Sequence, residues 1–125
     1  MQINNQDNIR WVYEDAFKFV KREEKRGNKY AGIIMDPPPY GRGPEGEKWT
    51  LQEQLNELVK MSKHLLEEKE CVFILSMYAV GLSSTVGLNV VKTHFPEAKP
   101  DCGEFFLKST QGRDLPMGTF VRLVC

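Results

Sequence analysis

One short segment, residues 30–35, restricts the possible folds of this sequence more than any other. Its residues, Y-A-G-I-I-M, are mostly apolar without alternation, which is typical of a strand covered on both faces, as in a parallel sheet. The segment stops at D-P-P-P, residues 36–39, because proline has no N–H to give to a ladder of β hydrogen bonds. The sequence therefore predicts a central strand that ends abruptly at Asp36.

Helix and strand signals alternate around this segment. Residues 9–13 are rich in β-branched and aromatic residues and predict a first strand. Asp15 then caps a helix that stops at Gly27. A T-x-x-E capping box at residues 50–53 begins a second helix, which extends to about residue 68. These elements predict strand, helix, strand and helix in the first half of the chain.

The second half continues the pattern and then changes it. Residues 71–75 predict another uniformly apolar strand, and Ser83 or Ser84 begins a third helix. Residues 104–107 and 119–124 predict two strands with no helix between them, so they should pair antiparallel. The order β-α-β-α-β-α-β-β predicts an α/β fold whose sheet is mostly parallel, with an antiparallel pair at its C-terminal end.

Charge and cysteine content limit the possible functions. Lysine and arginine number 17 and aspartate and glutamate also number 17. The strongly basic footprint of a nucleic-acid binder is therefore absent, and phosphate-binding charge would have to form a local patch. Three cysteines without C-x-x-C spacing favour reduced thiols and a cytoplasmic setting over a disulfide framework. The two histidines have no partners at metal-ligand spacing and predict no metal site.

No segment of the sequence has the pattern of a membrane span or a signal peptide. The longest apolar stretch, residues 71–82, is too short to cross a bilayer. Residues 1–8 are polar and amide-rich, and we expect them to be flexible. The sequence predicts a protein without a membrane partner.

Asp36 follows a strand at the position where open α/β sheets bind ligands. An amine on a heteroaromatic ring is a poor nucleophile because its lone pair is delocalised into the ring. A carboxylate and a proline-fixed carbonyl can accept both amine hydrogens and orient the lone pair toward an electrophilic methyl group. Tyr40 can stack on the flat ring, as a flipped base would require. The alternative is a simple strand terminator and turn, and the spacing alone does not decide between the two.

The segment D-P-P-P-Y at residues 36–40 resembles the (D/N/S)-P-P-(Y/F/W) motif of class I S-adenosylmethionine-dependent methyltransferases, with one residue inserted before the aromatic. The longer stretch at residues 32–44 resembles large-subunit ribosomal RNA methyltransferases. The tail is similar to the same group in C-G-E at 102–104, G-R at 112–113, L-P at 115–116, Gly118 and Arg122. The resemblance implies the Rossmann-like sheet of this family.

The resemblance also implies roles for individual residues. Asp15 and Ala16 match the pair whose carboxylate and backbone N–H receive the adenine of S-adenosylmethionine. Asp36 matches the acid of the active-site loop that faces the methyl group. The predicted catalytic residues are Asp36, Pro37, Pro38 and Tyr40, the predicted cofactor-binding residues are Asp15, Ala16 and Asp36, and the predicted substrate-binding residues are Tyr40 and Arg42.

Part of the family's domain lies outside this sequence, according to the resemblance. The family's glycine-rich cofactor loop follows its first strand, whereas this chain opens on the equivalent of the third. The family's strand order, 3-2-1-4-5-7-6, places two absent strands between residues 9–13 and 30–35. We therefore expect residues 1–125 to be a partial catalytic domain that binds S-adenosylmethionine weakly or not at all by itself. Its unpaired strand edge should favour self-association.

The sequence thus predicts a methyltransferase fragment that acts on a base amine or ring nitrogen of RNA, with ribosomal RNA as the expected substrate. Methylation of cytosine C5 needs a cysteine nucleophile, and residues 36–40 and 76–78 contain none. The competing prediction is a non-catalytic α/β module, either a degenerate methyltransferase half or a flavodoxin-like binding domain. A flavodoxin-like domain needs a phosphate-binding loop after the first strand, where residues 13–16, Y-E-D-A, are acidic. The degenerate methyltransferase half remains the alternative prediction.

Overall fold

The computed structural model describes residues 8–43, 45–78 and 81–125. Its helices are α1 (Ala16–Lys25), α2 (Leu51–Lys63) and α3 (Ser84–His94). Its strands are β1 (Gly32–Met35), β2 (Tyr40–Arg42), β3 (Lys48–Thr50), β4 (Val72–Met77), β5 (Asp101–Lys108) and β6 (Asp114–Val124). The predicted flexibility of residues 1–8 concerns positions that, Asn8 excepted, lie outside these ranges. Within the ranges, no helix combines the length and the apolar character that a membrane crossing requires.

Four strands form a mixed sheet in the order β1-β4-β6-β5. β1 and β4 pair in parallel, with Met35 opposite Leu75. β6 runs antiparallel to β4 on one side and to β5 on the other. The predicted α/β fold with a C-terminal antiparallel pair is confirmed. The sheet is mixed instead of mostly parallel, because β6 also runs antiparallel to β4, so that one pair of described strands is parallel and two pairs are antiparallel. The two last strands extend further than the predicted segments did.

The core lies on one face of this sheet. The buried strand side chains, among them Phe73, Leu75 and Val121, alternate with more exposed ones, so they all point to the same side. There they pack against buried residues of α2 and α3, including Val59 and Val91. On the other side Ile34 is 77% exposed. The prediction that this strand is covered on both faces is therefore wrong for the described residues, because all three helices pack on the same side.

Residues 9–13 form no strand, contrary to the prediction. Trp11 and Tyr13 are 86% and 96% exposed. A strand needs a neighbour to share its hydrogen bonds, and β1, the nearest strand in sequence, pairs only with β4 among the described strands. Strand propensity without a pairing partner does not produce a strand.

The first and third helices begin as predicted. The Asp15 carboxylate accepts a hydrogen bond from the Lys18 backbone N–H at 3.0 Å. Gly27 follows the end of α1 with a φ of 69°, the left-handed conformation that favours glycine. At α3 the capping residue is Ser83, whose side chain accepts a bond from the Val86 N–H.

The capping box predicted for the second helix is wrong. The Thr50 side chain makes no capping bond, and the Gln54 side chain, rather than that of Glu53, accepts the Thr50 N–H at 2.8 Å. Thr50 belongs to β3, whose pairing holds it in an extended conformation. The helix also ends at Lys63, because the chain beyond it turns to pair with Tyr30 just before β1.

Cys71 and Cys125 are joined by a disulfide, whereas the sequence predicted reduced thiols. Each donates its backbone N–H to the other's carbonyl, at 3.2 and 2.9 Å, so the two residues face each other at the end of the β4–β6 ladder. Their Cα atoms are 5.0 Å apart, although 54 positions separate them in the sequence. Strand register creates this pairing, and no local spacing indicates it. Cys102 is a free thiol.

Candidate active site

Asp36 lies directly after β1, at the carboxyl end of the parallel β1–β4 pair. Its Oδ1 accepts a hydrogen bond from the Ser76 hydroxyl at 2.7 Å. Ser76 lies near the end of the adjacent strand β4, one residue beyond the partner of Met35. Asp36 is exposed, and no described residue forms an ion pair with it or a hydrogen bond to its second oxygen. The carboxylate is therefore held at one oxygen and available at the other.

Ser76 was missed as a site residue. The sequence offered a signal for it, since a hydroxyl near the carboxyl end of one strand lies close to an acid that follows the neighbouring parallel strand. Recognising that signal required the β1–β4 register, in which Met35 lies opposite Leu75.

The proline loop is fixed through its backbone carbonyls. The Trp49 indole N–H donates to the Pro38 carbonyl at 2.6 Å. The Leu51 N–H donates to the Pro39 carbonyl at 3.0 Å. Pro37 is buried, and no donor among the described residues bonds to its carbonyl. Of these predicted catalytic residues, Pro38 is thus engaged in holding the loop, whereas the Pro37 carbonyl has no partner in the described chain.

The loop continues into a β2–β3 hairpin that the sequence did not predict. Tyr40 and Arg42 lie on one side of β2, opposite Thr50 and Lys48 of β3. These residues line a shallow cavity of about 310 Å³, and Tyr40 is 78% exposed. We call this the Tyr40–Arg42–Lys48 surface. An accessible aromatic ring beside two cations is suited to stack a base and contact its phosphates.

The hairpin is anchored to α1. The Trp49 ring packs against Phe17 of α1, with ring centroids 5.9 Å apart. The Lys18 ammonium lies 3.0 Å from a Glu47 carboxylate oxygen and also pairs with Glu45. A backbone N–H bond, followed by the Lys18 side chain, lowers the pKa of Glu47. These contacts hold the Tyr40–Arg42–Lys48 surface on the side of the hairpin away from α1.

Asp15 and Ala16 begin α1, and their geometry fits the purine of the predicted cofactor. Asp15 uses Oδ1 to cap the helix, and no described residue bonds to Oδ2. Ala16 is the first helical residue, whose N–H has no acceptor within the helix. A free carboxylate oxygen beside a free N–H offers an acceptor and a donor to an adenine edge.

A mostly apolar cavity of about 330 Å³ lies between α1, β1 and α2. It is lined by Ala16 and Val20 of α1, by Met35 of β1 and by residues of α2. Asp36 follows Met35 directly but is not among the lining residues. Ala16, which follows Asp15, and Met35, which precedes Asp36, therefore line the same cavity.

Each of the two histidines contacts a polar side chain of a neighbouring helix. His64 Nδ1 lies 2.6 Å from a Glu24 oxygen, and His94 Nε2 lies 2.8 Å from the Asn56 side-chain oxygen. Burial, followed by the nearby lysines, lowers the pKa of His94. Among residues 8–43, 45–78 and 81–125, no three His, Cys, Asp or Glu side chains cluster as metal ligands.

Several solved structures resemble this chain, although no protein-family model and no curated protein matches it. The S-adenosylmethionine-dependent methyltransferase from Agrobacterium tumefaciens is 31% identical with a TM-score of 0.85, over 93% of this chain and 40% of that protein. SMU.776, assigned as a methyltransferase and solved with SAH, is 20% identical with a TM-score of 0.66, over 88% and 30%. A protein from Streptococcus mutans assigned as a SAM-dependent methyltransferase is 19% identical with a TM-score of 0.62, over 88% and 29%.

The chain spans less than half the length of each of these structures. The observed order β1-β4-β6-β5 agrees with the 4-5-7-6 end of the sheet that the sequence resemblance implied. The alternative prediction of a flavodoxin-like binding domain is not favoured, because the three structures named above are all described as methyltransferases. The chain has the α/β fold, with a mixed sheet, of S-adenosylmethionine-dependent methyltransferases.

Proposed function

We propose that this chain carries the substrate-facing part of an S-adenosylmethionine-dependent methyltransferase that acts on RNA. The target is a base amine or ring nitrogen, and the substrate is ribosomal RNA. The observation that carries the proposal is the Asp36 carboxylate, fixed by Ser76 at 2.7 Å beyond the end of a parallel strand. The loop that starts there leads directly to the Tyr40–Arg42–Lys48 surface.

The chain's own residues orient the target nitrogen. The second oxygen of Asp36 accepts one amine hydrogen and the Pro37 carbonyl accepts the other, so that the lone pair points away from both acceptors. When bound, S-adenosylmethionine supplies an electrophilic methyl group on a sulfonium and leaves as neutral S-adenosylhomocysteine. The Asp36 carboxylate takes up the proton that the methylated nitrogen releases.

Asp15 and Ala16 serve the cofactor in this proposal. The Asp15 Oδ2 accepts a hydrogen from the adenine amine, and the Ala16 N–H donates to a ring nitrogen. Support comes from the geometry at the start of α1, where both groups lack partners in the described chain. The apolar cavity that Ala16 and Met35 line offers an apolar surface for the flat adenine ring, next to the Asp15 carboxylate and the Ala16 N–H.

An RNA substrate is supported by the hairpin and by the sequence resemblance of residues 32–44. With no net charge overall, the chain must concentrate its phosphate contacts, and Arg42 and Lys48 lie opposite each other beside an exposed Tyr40. Methylation at nitrogen is supported by the absence of cysteine from residues 36–40 and 76–78.

The substrate is tested in a full-length enzyme. Residues 8–125 replace the matched part of the A. tumefaciens protein, and transfer of labelled methyl groups to bacterial ribosomal RNA is followed by mass spectrometry of the nucleosides. We expect N-methylated guanosine or adenosine. 5-Methylcytidine, methylation of DNA alone, or no transfer by a folded chimera would contradict the proposal.

The hairpin's role is tested in the same chimera. Arg42→Ala and Lys48→Ala should each raise KM for RNA and weaken its dependence on salt, because each removes one phosphate contact. Lys99→Ala, which removes an exposed lysine outside the hairpin, is the matched control and should leave KM unchanged. Equal effects of the three substitutions would show that the Tyr40–Arg42–Lys48 surface does not bind RNA.

A further inference from the structure

Strands β5 and β6 extend beyond the end of β4. The last residue of β4 that pairs with β6 is Met77, opposite Thr119, and residues 114–118 of β6 pair with β5 alone. At about 3.3 Å per residue, this two-stranded part projects roughly 15 Å past β4. We call it the arm, residues 104–108 and 114–118. Because β1 and β4 are parallel, the arm stands at the same edge of the sheet as Asp36.

The base of the arm is fixed against the residues that end β4. Gly118 has a φ of 125°, and a Cβ at this position would lie 2.6 Å from the Met77 carbonyl oxygen. Only glycine allows this close approach. In the next step of the ladder Phe105 pairs with Gly118 and Phe106 pairs with Pro116, so residue 117 forms a bulge. A bulge bends a strand and redirects its side chain, which here lies at the base of the arm.

A cavity of about 620 Å³ lies between the end of β4 and the arm. Its lining includes Met77 and Tyr78 from the end of β4, and Glu104 and the bulged Met117 from the arm. The volume is in the range of small-molecule sites, roughly 300–1,000 Å³. A second cavity of about 300 Å³ shares Glu104 and Pro116 with the first and continues along the arm. We call the two cavities together the arm trough.

Glu104 provides a hydrogen-bond acceptor in the arm trough. Its backbone is held in the ladder opposite Thr119, and no described residue forms an ion pair or a hydrogen bond with its carboxylate. A carboxylate has two acceptor oxygens and no donor, so it matches two N–H donors that lie side by side. Among the four RNA bases, guanine alone has two adjacent N–H donors, N1–H and the N2 amine, on its Watson–Crick edge. The carboxylate therefore favours guanine.

Tyr78 provides a ring for stacking in the same cavity. It is 53% exposed, and it follows Met77 at the end of β4. The residue before Met77 is Ser76, whose hydroxyl holds Asp36. Consecutive residues of one strand therefore serve the predicted target site and the arm trough, as adjacent nucleotides of one RNA strand would require.

The tip of the arm carries two cations. Lys108 and Arg113 are exposed, and no described residue forms an ion pair with either of them. Hydrogen bonds between Ser109 and Arg113 close the turn that presents them. These cations outnumber the one carboxylate at the tip, Asp114, so the tip can contact phosphates further along a strand bound in the trough.

We propose that the arm trough binds an unstacked guanine that flanks the target base in the substrate RNA. Glu104 accepts the N1–H and the N2 amine of this guanine, and Tyr78 stacks on its ring. Glu104 is thus a specificity-determining residue that selects the sequence around the methylated nucleotide. The inference rests on the proposed function, which makes RNA the substrate.

A peptide with an arginine side chain is the competing occupant. A guanidinium also donates two parallel N–H bonds to a carboxylate and stacks on an aromatic ring. The cations of Lys108 and Arg113 at the tip disfavour a basic peptide, whereas they favour the phosphates of RNA.

Guanine selection is measured as binding. Fluorescent oligomers of uridine with one central guanosine, adenosine or inosine are titrated with this 125-residue chain and with the chimera, at one salt concentration. We expect guanosine to bind at least about tenfold more tightly than adenosine, because a bidentate contact discriminates between bases to this extent. Inosine, which lacks the N2 amine, should bind more weakly than guanosine.

Glu104→Gln should remove the guanosine preference, because the glutamine amide has one acceptor oxygen and places a donor against the second N–H of guanine. Its affinities for the guanosine and adenosine oligomers should agree within about twofold. Glu97→Gln removes the same charge from an exposed residue near Cys125, at the other end of the sheet, and should keep the preference.

Tyr78→Ala should lower the affinity for every oligomer by about tenfold without changing the preference, because stacking does not depend on the base. Leu107→Ala is the matched control. Leu107 is 57% exposed on the same arm but follows Phe106 in the strand, so it points to the opposite face from the trough. Its truncation should leave the affinities unchanged.

A guanosine preference that Glu104→Gln removes and Glu97→Gln retains supports the proposal. Equal binding of guanosine and adenosine, equal binding of guanosine and inosine, or binding of no oligomer by either protein overturns it. Binding of an arginine–glycine peptide in place of RNA, if Glu104→Gln abolishes it, overturns it in favour of a protein partner. None of these readouts involves methyl transfer. A chimera that methylates RNA without selecting guanosine would count against the arm trough alone. A chimera that selects guanosine through Glu104 but transfers no methyl group would count against the proposed function alone.

Discussion

Strands β1 and β4 are both apolar and lie side by side, yet they are stabilised in different ways. β4 has a neighbour on each side, and its side chains alternate between buried and partly buried. β1 has one neighbour among the described strands, and Ile34 is exposed while Ile74, opposite it, is partly buried. The apolar composition of a strand thus indicates that the strand needs covering neighbours. On the side away from β4, β1 has no neighbour among the described strands.

The ends of the two strands differ as well. The disulfide to Cys125 holds the residue before β4. Polar side-chain contacts hold the flanks of β1, where Tyr30 donates to Glu23 before the strand and Trp49 donates to Pro38 after it. A disulfide and apolar packing therefore stabilise β4, whereas side-chain hydrogen bonds at its two ends stabilise β1.

The largest difference is expected between Phe73→Ala and Ile34→Ala. Phe73 of β4 is fully buried, and its truncation should lower the free energy of unfolding by about 3–5 kcal/mol. Ile34 of β1 is exposed, and its truncation should change that energy by less than about 0.5 kcal/mol. Urea denaturation at two protein concentrations measures both. A large, concentration-dependent loss for Ile34→Ala would show that the β1 edge is buried by self-association.

The second largest effect belongs to the disulfide. Opening a closed loop that spans a separation of 54 residues should lower the free energy of unfolding by as much as about 4 kcal/mol, so Cys125→Ser should unfold at lower urea concentration. Cys102→Ser removes the free cysteine and serves as the control. Mass spectrometry of the alkylated, unreduced protein should count one free thiol, and a count of three would refute the pairing.

A smaller effect is expected at the loop after β1. Trp49→Phe keeps most of the packing on Phe17 but loses the bond to the Pro38 carbonyl, which should cost about 0.5–1.5 kcal/mol. Trp11→Phe is the control, since Trp11 is 86% exposed. Thermal unfolding compares the two. If both variants melted alike, the proline loop would not depend on the indole.

The last effect is confined to acidic pH. Bonds from the Tyr30 hydroxyl and the Asn28 amide, with a further contribution from Arg26, lower the pKa of Glu23 from 4.5 to about 2. The stability that this carboxylate contributes is therefore complete above pH 4.5 and is lost as the pH falls toward 2. Glu23→Gln should flatten the stability profile in that window, whereas Glu53→Gln on α2 should not. Parallel profiles for both variants and the unsubstituted chain would contradict this role.

The elements whose signals are local could be predicted from the sequence. Asp15 and Gly27 bound α1 because a cap and a left-handed glycine act within one helical turn. The position of Asp36 after β1 follows from the three consecutive prolines, which have no N–H to give to the ladder of a central strand. The antiparallel tail follows from two adjacent strands without a helix between them.

Features that depend on distant partners could not be predicted. Residues 40–46 have the glycine-rich composition of a loop, and the hairpin forms through Trp49 contacts with Phe17 and Pro38. Glu23 lies on a helix side rich in charge, and its burial requires donors from Asn28 and Tyr30. Residues 9–13 have strand propensity without a neighbour, so their propensity alone gave the wrong prediction.

The most direct test of the account is the methyl-transfer rate of the chimera with Asp36→Ala, measured at saturating S-adenosylmethionine and RNA. Alanine removes the carboxylate, and with it the acceptor for the amine hydrogen, whereas asparagine, which the (D/N/S)-P-P motif allows at this position, would keep an acceptor oxygen. The account predicts a fall in kcat of about 10²–10³-fold, comparable to the loss of one preorganised polar contact in other active sites, with KM for S-adenosylmethionine nearly unchanged. A kcat within tenfold of the unsubstituted chimera would contradict the assignment of Asp36 as the residue that orients the methylated nitrogen.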